Sequence, residues 1–171
     1  VGNLSATKGI TLNINDLNDL PVISSGSTGS VAENAAISSV AYDAAASDPD
    51  AGDTLSFSLV GTDASDFKID EDDGEIRLKS SANFEAKNSY SVTIVATDSG
   101  SPSASISKAV TINVTDQNDS PVSSGDSAIT TLNTAKNNIL VLNNDTDEDG
   151  DSLTILSIAY SGAGTVSHNG T

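Results

Sequence analysis

One strand-forming pattern occurs twice in this chain, 100 residues apart, and each copy runs into the same acidic stop. The first reads Ile10-Thr-Leu-Asn-Ile-Asn-Asp16-Leu-Asn18-Asp19-Leu-Pro21-Val22. The second reads Val110-Thr-Ile-Asn-Val-Thr-Asp116-Gln-Asn118-Asp119-Ser-Pro121-Val122. Apolar and polar residues alternate in both, the period of a half-buried β-strand. A self-match at fixed spacing is the mark of a repeat array. The chain should therefore be built of β-repeats whose joints carry clustered carboxylates, an arrangement suited to a cation.

The same period of two recurs between the copies. Leu55, Phe57 and Leu59 alternate with Thr and Ser, and Phe67/Ile69 and Ile76/Leu78 flank the turn Glu71-Asp-Asp-Gly74. Tyr90, Val92, Ile94 and Ala96 form another face, followed by Val110, Ile112 and Val114. Clusters of Ser, Gly, Asp and Pro separate these runs, as turn residues separate short strands. No helical period survives for more than a turn. One polar and one apolar face per strand suits an antiparallel sandwich, and about seven strands in about 100 residues fit an immunoglobulin-like one. The predicted fold is all-β, a series of Greek-key immunoglobulin-like sandwiches in tandem.

Charge narrows the functions. The chain holds 24 acidic residues against 7 Lys and Arg, a net charge of −17, which repels nucleic acid and anionic membrane. Such a balance also occurs in disordered chains, but here 36% of residues are apolar and fall in alternating runs. Cysteine is absent, so no disulfide staples the fold. No apolar run approaches the roughly 18–20 residues of a membrane helix, and no secretory leader opens the sequence. Residues 1–16 read as the last strand of a preceding repeat, 17–121 as a complete repeat with its linker, and 122–171 as the start of a further, truncated one. The third part has strand-like runs at 138–142 and 153–160 but no return strand. The first and third parts should be the least ordered.

Loop acids are plentiful, and a contiguous calcium loop is the first arrangement to test. Asp145-x-Asp147-x-Asp149-Gly150 opens like an EF-hand, but position 12 is Leu156 instead of the closing Glu and the flanks are strands. For Gly52 and Gly74 the first loop positions are Ser47 and Ile69, so neither fits. Ca²⁺ takes six to eight oxygens, and these must then converge from separate segments.

The segments between the two copies have a definite order. They are Val31-Ala-Glu33-Asn34, Asp48-Pro-Asp50, Asn83-Phe-Glu85, Ala96-Thr-Asp98-Ser-Gly100 and Asp116-Gln-Asn118-Asp119-Ser-Pro121. In this order and spacing residues 17–121 resemble the cadherin repeat, with its x-Glu-Asn, Asp-x-Asp, Asp-x-Glu, Ala-x-Asp-x-Gly and Asp-x-Asn-Asp-x-Pro motifs. Each motif is weak alone and the five together are specific. The cysteine-free, Ser/Thr/Asp/Gly-rich style is similar to cadherin-like repeats of large bacterial surface and secreted proteins.

The resemblance implies Ca²⁺ at the joints between repeats. At the joint of 116–121 it implies Glu33, Glu85, Asp116, Asn118 and Asp119, backbone carbonyls of Gln117 and Ser120, and Asp145 and Asp147 from the following part. At the joint of 16–21 it implies Asn18 and Asp19 with Asp48, Asp50 and Asp98. Three departures stand out: Asn83 replaces the Asp of Asp-x-Glu, the third part lacks x-Glu-Asn and looks like a related bacterial module, and the chain has no Trp. Without metal, carboxylates crowded at a joint repel; with metal they share ions and the joint stiffens. The expected role is therefore adhesive or spacing, in an extracellular or cell-surface protein. Its expected partners are neighbouring repeats, and beyond them polysaccharide or another cell-surface protein, with no nucleic acid and no membrane insertion.

Two other function classes have weaker support in the sequence. The single histidine, His168, lies in a Ser/Asn/Gly stretch, and no nucleophile-elbow or phosphate-loop pattern occurs, so no enzyme is expected. A calcium-dependent carbohydrate-binding module attached to a polysaccharide-degrading enzyme is the alternative. It needs exposed rings, with Tyr42, Phe84 and Tyr160 as the candidates.

Overall fold

The structure is a computed structural model that describes residues 1–2, 5–159 and 165–168. Nine strands, all between residues 22 and 115, build a sandwich: β1 (Val22–Ile23), β2 (Thr28–Ala32), β3 (Tyr42–Asp43), β4 (Ala46–Ser47), β5 (Leu55–Val60), β6 (Phe67–Ile69), β7 (Glu75–Leu78), β8 (Ser89–Asp98) and β9 (Ser105–Thr115). One sheet has the order β2-β9-β8-β5 and the other β3-β7-β6, while β1 pairs with β4 at one end. All pairings are antiparallel except β2 with β9, where Thr28–Ala32 runs parallel to Thr111–Thr115. That parallel pair brings the residues after β2 beside those after β9, and so sets Glu33 next to Asp116.

The period of two decides which side chains face inward. Val92, Ile94 and Ala96 of β8 and Val110, Ile112 and Val114 of β9 are buried, as are Phe57 of β5 and Ile76 and Leu78 of β7. Burying such side chains contributes about 1.5–3 kcal/mol each relative to leaving them exposed. Phe67 meets Tyr90 edge-on, with ring centroids 5.1 Å apart and planes at 86°. Gly74 closes the turn before β7 at φ +80°, and a Cβ there would lie 2.6 Å from the carbonyl oxygen of Ala44. Only glycine fits both the backbone angle and the space.

The flanking parts behave differently. Residues 5–21 form no strand, and Ile10, Leu12 and Ile14 are 88, 82 and 88% exposed. Among the described residues no neighbouring strand satisfies the N–H and C=O groups of that alternating pattern or covers its apolar face. After Pro121 the described residues contain one β-bridge, Val122 with Thr146, and the expected strands at 138–142 and 153–160 do not form through residue 159. Isolated runs without a partner cannot stabilise a ladder.

Candidate metal centre

Glu33 is the buried centre of the second joint, only 2% exposed. Its backbone N–H donates to Thr115 O at 3.0 Å, extending the β2–β9 pairing. Both carboxylate oxygens are occupied: Oε2 accepts from Phe84 N at 2.8 Å and Oε1 from Gln117 N at 2.7 Å. These backbone donors, Phe84 first and then Gln117, hold its carboxyl below the ordinary range. Glu33 thus ties the turn that carries Glu85 to the linker that carries Asp116.

Four carboxylates converge there. One oxygen from each of Glu33, Glu85, Asp116 and Asp149 lies within 4.8 Å of the others. Asp116 is exposed as a residue, but partial loss of hydration at its crowded carboxyl raises it, and the charges of Asp149 and Glu33 raise it further. For exposed Glu85, a bond from its own backbone N–H works downward, yet partial loss of hydration at the carboxyl and the charges of Glu33, Asp149 and Asp116 leave it raised. Asp119 is raised by burial, then by Glu33, Asp149 and Glu148. An all-oxygen anionic set of this kind suits a hard divalent cation and lacks the nitrogen or sulfur ligands usual for zinc.

The other implied ligands are distributed around this cluster. Asp119 is half-buried, and its Oδ1 accepts from Asn34 Nδ2 at 2.9 Å. Asn118 is exposed and donates to the carbonyl of Asp119 at 2.7 Å. Gln117 directs its N–H to Glu33, and Ser120 is exposed. Asp145 Oδ1 accepts from Ser124 N at 2.8 Å, and Asp147 Oδ1 from Asp151 N at 3.2 Å. Neither joins the four-carboxylate group, whereas Asp149, outside the implied set, does.

The register gives the reason. Val22 pairs with Ser47 as Val122 pairs with Thr146, so Asp147 and Asp149 correspond to Asp48 and Asp50. Writing Thr146-Asp-Glu-Asp149 beneath Ser47-Asp-Pro-Asp50 is the sequence signal that finds Asp149. Asn83 reaches across the same joint: its Nδ2 donates to Glu148 Oε1 at 2.8 Å while its Oδ1 accepts from Ala86 N at 2.6 Å.

At the first joint Asp98 is buried, and its Oδ1 accepts from Ala104 N at 2.8 Å and Gly100 N at 3.1 Å. Its Oδ2 accepts from Asn18 Nδ2 at 2.9 Å. The Ala104 bond, with help from Asn18 and Gly100, holds this carboxyl low. Asp48, Asp50 and Asp53 form a second carboxylate group within 4.8 Å, with Asp53 an addition to the implied set. Asp50 Oδ2 accepts from Asp19 N at 2.6 Å, and Asp48 Oδ2 is a buried atom without a hydrogen-bond partner among the described residues.

Elsewhere, His168 is exposed. Tyr42, Phe57 and Phe67 are buried and Phe84 and Tyr90 half-buried, so among the described residues no exposed ring platform exists; Tyr160 lies outside them.

Comparison with known proteins identifies the family of the fold. The family model "Cadherin domain" matches residues 27–115, and "Bacterial Ig domain" matches residues 118–171. Protocadherin Fat 4 of Homo sapiens is 35% identical over 118 residues, covering 67% of this chain and 2% of that protein. Protocadherin-1 of Homo sapiens is 36% identical over 122 residues, covering 68% of this chain and 12% of that protein. The chain thus spans a small fraction of these relatives. Among solved structures, mouse cadherin-23 EC22-24 superposes with a TM-score of 0.52 at 31% identity, covering 61% of this chain and 35% of that one. The protocadherin gammaB7 EC3-6 cis-dimer structure gives a TM-score of 0.56 at 27% identity, covering 60% and 27%. With its middle repeat matched across both sheets, the chain belongs to the cadherin family.

Proposed function

We propose that this chain is a calcium-binding segment of a large extracellular bacterial protein, in which Ca²⁺ stiffens the joint between the middle repeat and the part that follows, for adhesion or as a spacer. The observation that carries the reading is the convergence of Glu33, Glu85, Asp116 and Asp149 from four separate stretches of chain. Three belong to the cadherin repeat and the fourth to the following part, so an ion held by all four fastens the two together. Asp119, Asn118 and the carbonyls of Gln117 and Ser120 are the further oxygens at hand. Asn18, Asp19, Asp48, Asp50 and Asp98 serve the first joint in the same way. The match of residues 118–171 to a bacterial Ig domain supports the bacterial setting.

Extracellular calcium modules bind at about 10⁻⁴–10⁻³ M. At about 100 times Kd, one such ion adds roughly 2.7 kcal/mol to the folded state, large against a domain stability of about 5–15 kcal/mol. The partners of this function are neighbouring repeats and, at longer range, another cell-surface protein. Titration calorimetry with CaCl₂ should show binding in that range. Small-angle scattering should show a longer, stiffer particle in calcium than in chelator. Equal particle lengths in both would overturn the reading.

A further inference from the structure

Glu85 is exposed on the short turn before β8, beside three other carboxylates that repel it. Something must hold the turn in place. On its N-terminal side the anchor is Glu33, which accepts the Phe84 N–H at 2.8 Å. On the C-terminal side it is Lys87, two residues beyond Glu85. The Lys87 ammonium donates to Asp63 Oδ1 at 2.6 Å and lies 4.3 Å from the centre of the Tyr90 ring. Asp63 is itself fixed, since its Oδ2 accepts the Ser91 N–H at 2.7 Å and its own N–H donates to Ser91 O at 3.3 Å. Tyr90 is braced by Phe67. The Lys87 side chain therefore bolts the turn to the start of β8 and to the loop after β5.

We infer that the Asp63–Lys87 pair is a positioning element for the candidate calcium centre, holding Glu85 in the four-carboxylate group although Asp63 belongs to no ligand set. The inference rests on the reading of that group as a calcium site. Outer partners that fix ligands commonly govern metal affinity. Here the partner acts through the backbone of a five-residue turn, Asn83 to Lys87, closed by the Lys87 N–H on Asn83 O at 3.0 Å. A bond from Val114 N to Asn88 O at 2.9 Å ties the end of the same segment to β9 and so to Asp116.

The test uses the whole chain and CaCl₂. Asp63→Asn keeps an acceptor for Ser91 and loses the nearer of the two charges on Lys87, leaving Asp66 Oδ2 at 3.7 Å; Lys87→Met keeps the packing on Tyr90 and loses the ammonium from both pairs. Both should weaken calcium binding about tenfold, lowering the melting temperature more in calcium than in chelator, and Lys87→Arg should restore most of the affinity. Arg77→Gln, which breaks the ion pair with Glu75 on the other sheet, should leave calcium affinity unchanged. Equal losses of melting temperature with and without calcium, or unaltered affinity in both variants, would overturn the inference and leave the calcium reading standing. Absence of calcium binding by the unaltered chain would overturn both.

Discussion

The backbone N–H of Asp119 donates to Asp149 Oδ2 at 2.6 Å, joining the linker to the part that follows it. The same bond occurs 100 residues earlier, where Asp19 N–H donates to Asp50 Oδ2 at 2.6 Å. Two parts matched by different family models thus receive their linkers by one device. The equivalence of Asp149 with Asp50 follows from it.

Asp149 should consequently matter more to calcium than Asp145. Asp149→Asn removes one of four converging charges and should weaken binding about tenfold or more, since affinity follows ligand charge. Asp145→Asn, at a residue whose Oδ1 accepts from Ser124 N, should change it by less than about threefold. Calorimetric titration of both variants checks this, and the reverse ranking would restore Asp145 as the ligand.

Calcium binding should weaken on mild acidification. Partial loss of hydration, followed by neighbouring carboxylates, raises the Asp116 and Asp119 carboxyls. An acid raised in the folded state binds its proton more readily there than in the unfolded chain, so in chelator stability increases as pH falls from neutral through the raised values. In calcium the same protons compete with the ion. Glu33 and Asp98 shift the opposite way, and their stabilisation is lost only below the ordinary carboxylate values of about 4. The rise in melting temperature on adding calcium should shrink between pH 7 and about pH 5. A rise of equal size at both values would count against a proton-competitive site.

Leu12 and Ile112 occupy the same position in the two copies of the strand pattern, yet the first is 82% exposed and the second fully buried. Ile112→Ala should cost about 2–5 kcal/mol through lost burial and the cavity left behind. Leu12→Ala should stay within about 0.5 kcal/mol. Chemical denaturation of the two variants measures the contrast.

A side chain at Gly100 should loosen the linker that carries Asn18. A Cβ there would lie 1.5 Å from Asn18 Oδ1, so the Asn18 side chain must turn away to make room. Gly100→Ala should therefore displace Asn18 from Asp98 and raise amide exchange across residues 18–21, leaving the core of the repeat intact. Unchanged protection in that segment would show that Asn18 can settle elsewhere.

Much of the architecture was legible because a strand with one buried face writes its period into the sequence. β5 to β9 fall on the alternating runs, and the motifs containing Glu33, Glu85 and Asp116 keep the order that brings these residues together. Asp149 was not legible from spacing to an EF-hand or from the first Asp-x-Asp met after the linker. Its place depends on the pairing of Val122 with Thr146, a relation between segments 24 residues apart. The Asp63–Lys87 bolt was hidden for the same reason, being a contact between loops with no local pattern.

The alternation, the turns and the acidic stops are written locally in the chain, since they depend on residue size, backbone freedom and charge within a few positions. Tertiary structure decided which copy of the pattern became a strand. Residues 110–115 lie between β2 and β8, which satisfy their backbone groups and cover their apolar face. Residues 10–16 carry nearly the same residues and form no strand, because among the described residues no strand lies beside them.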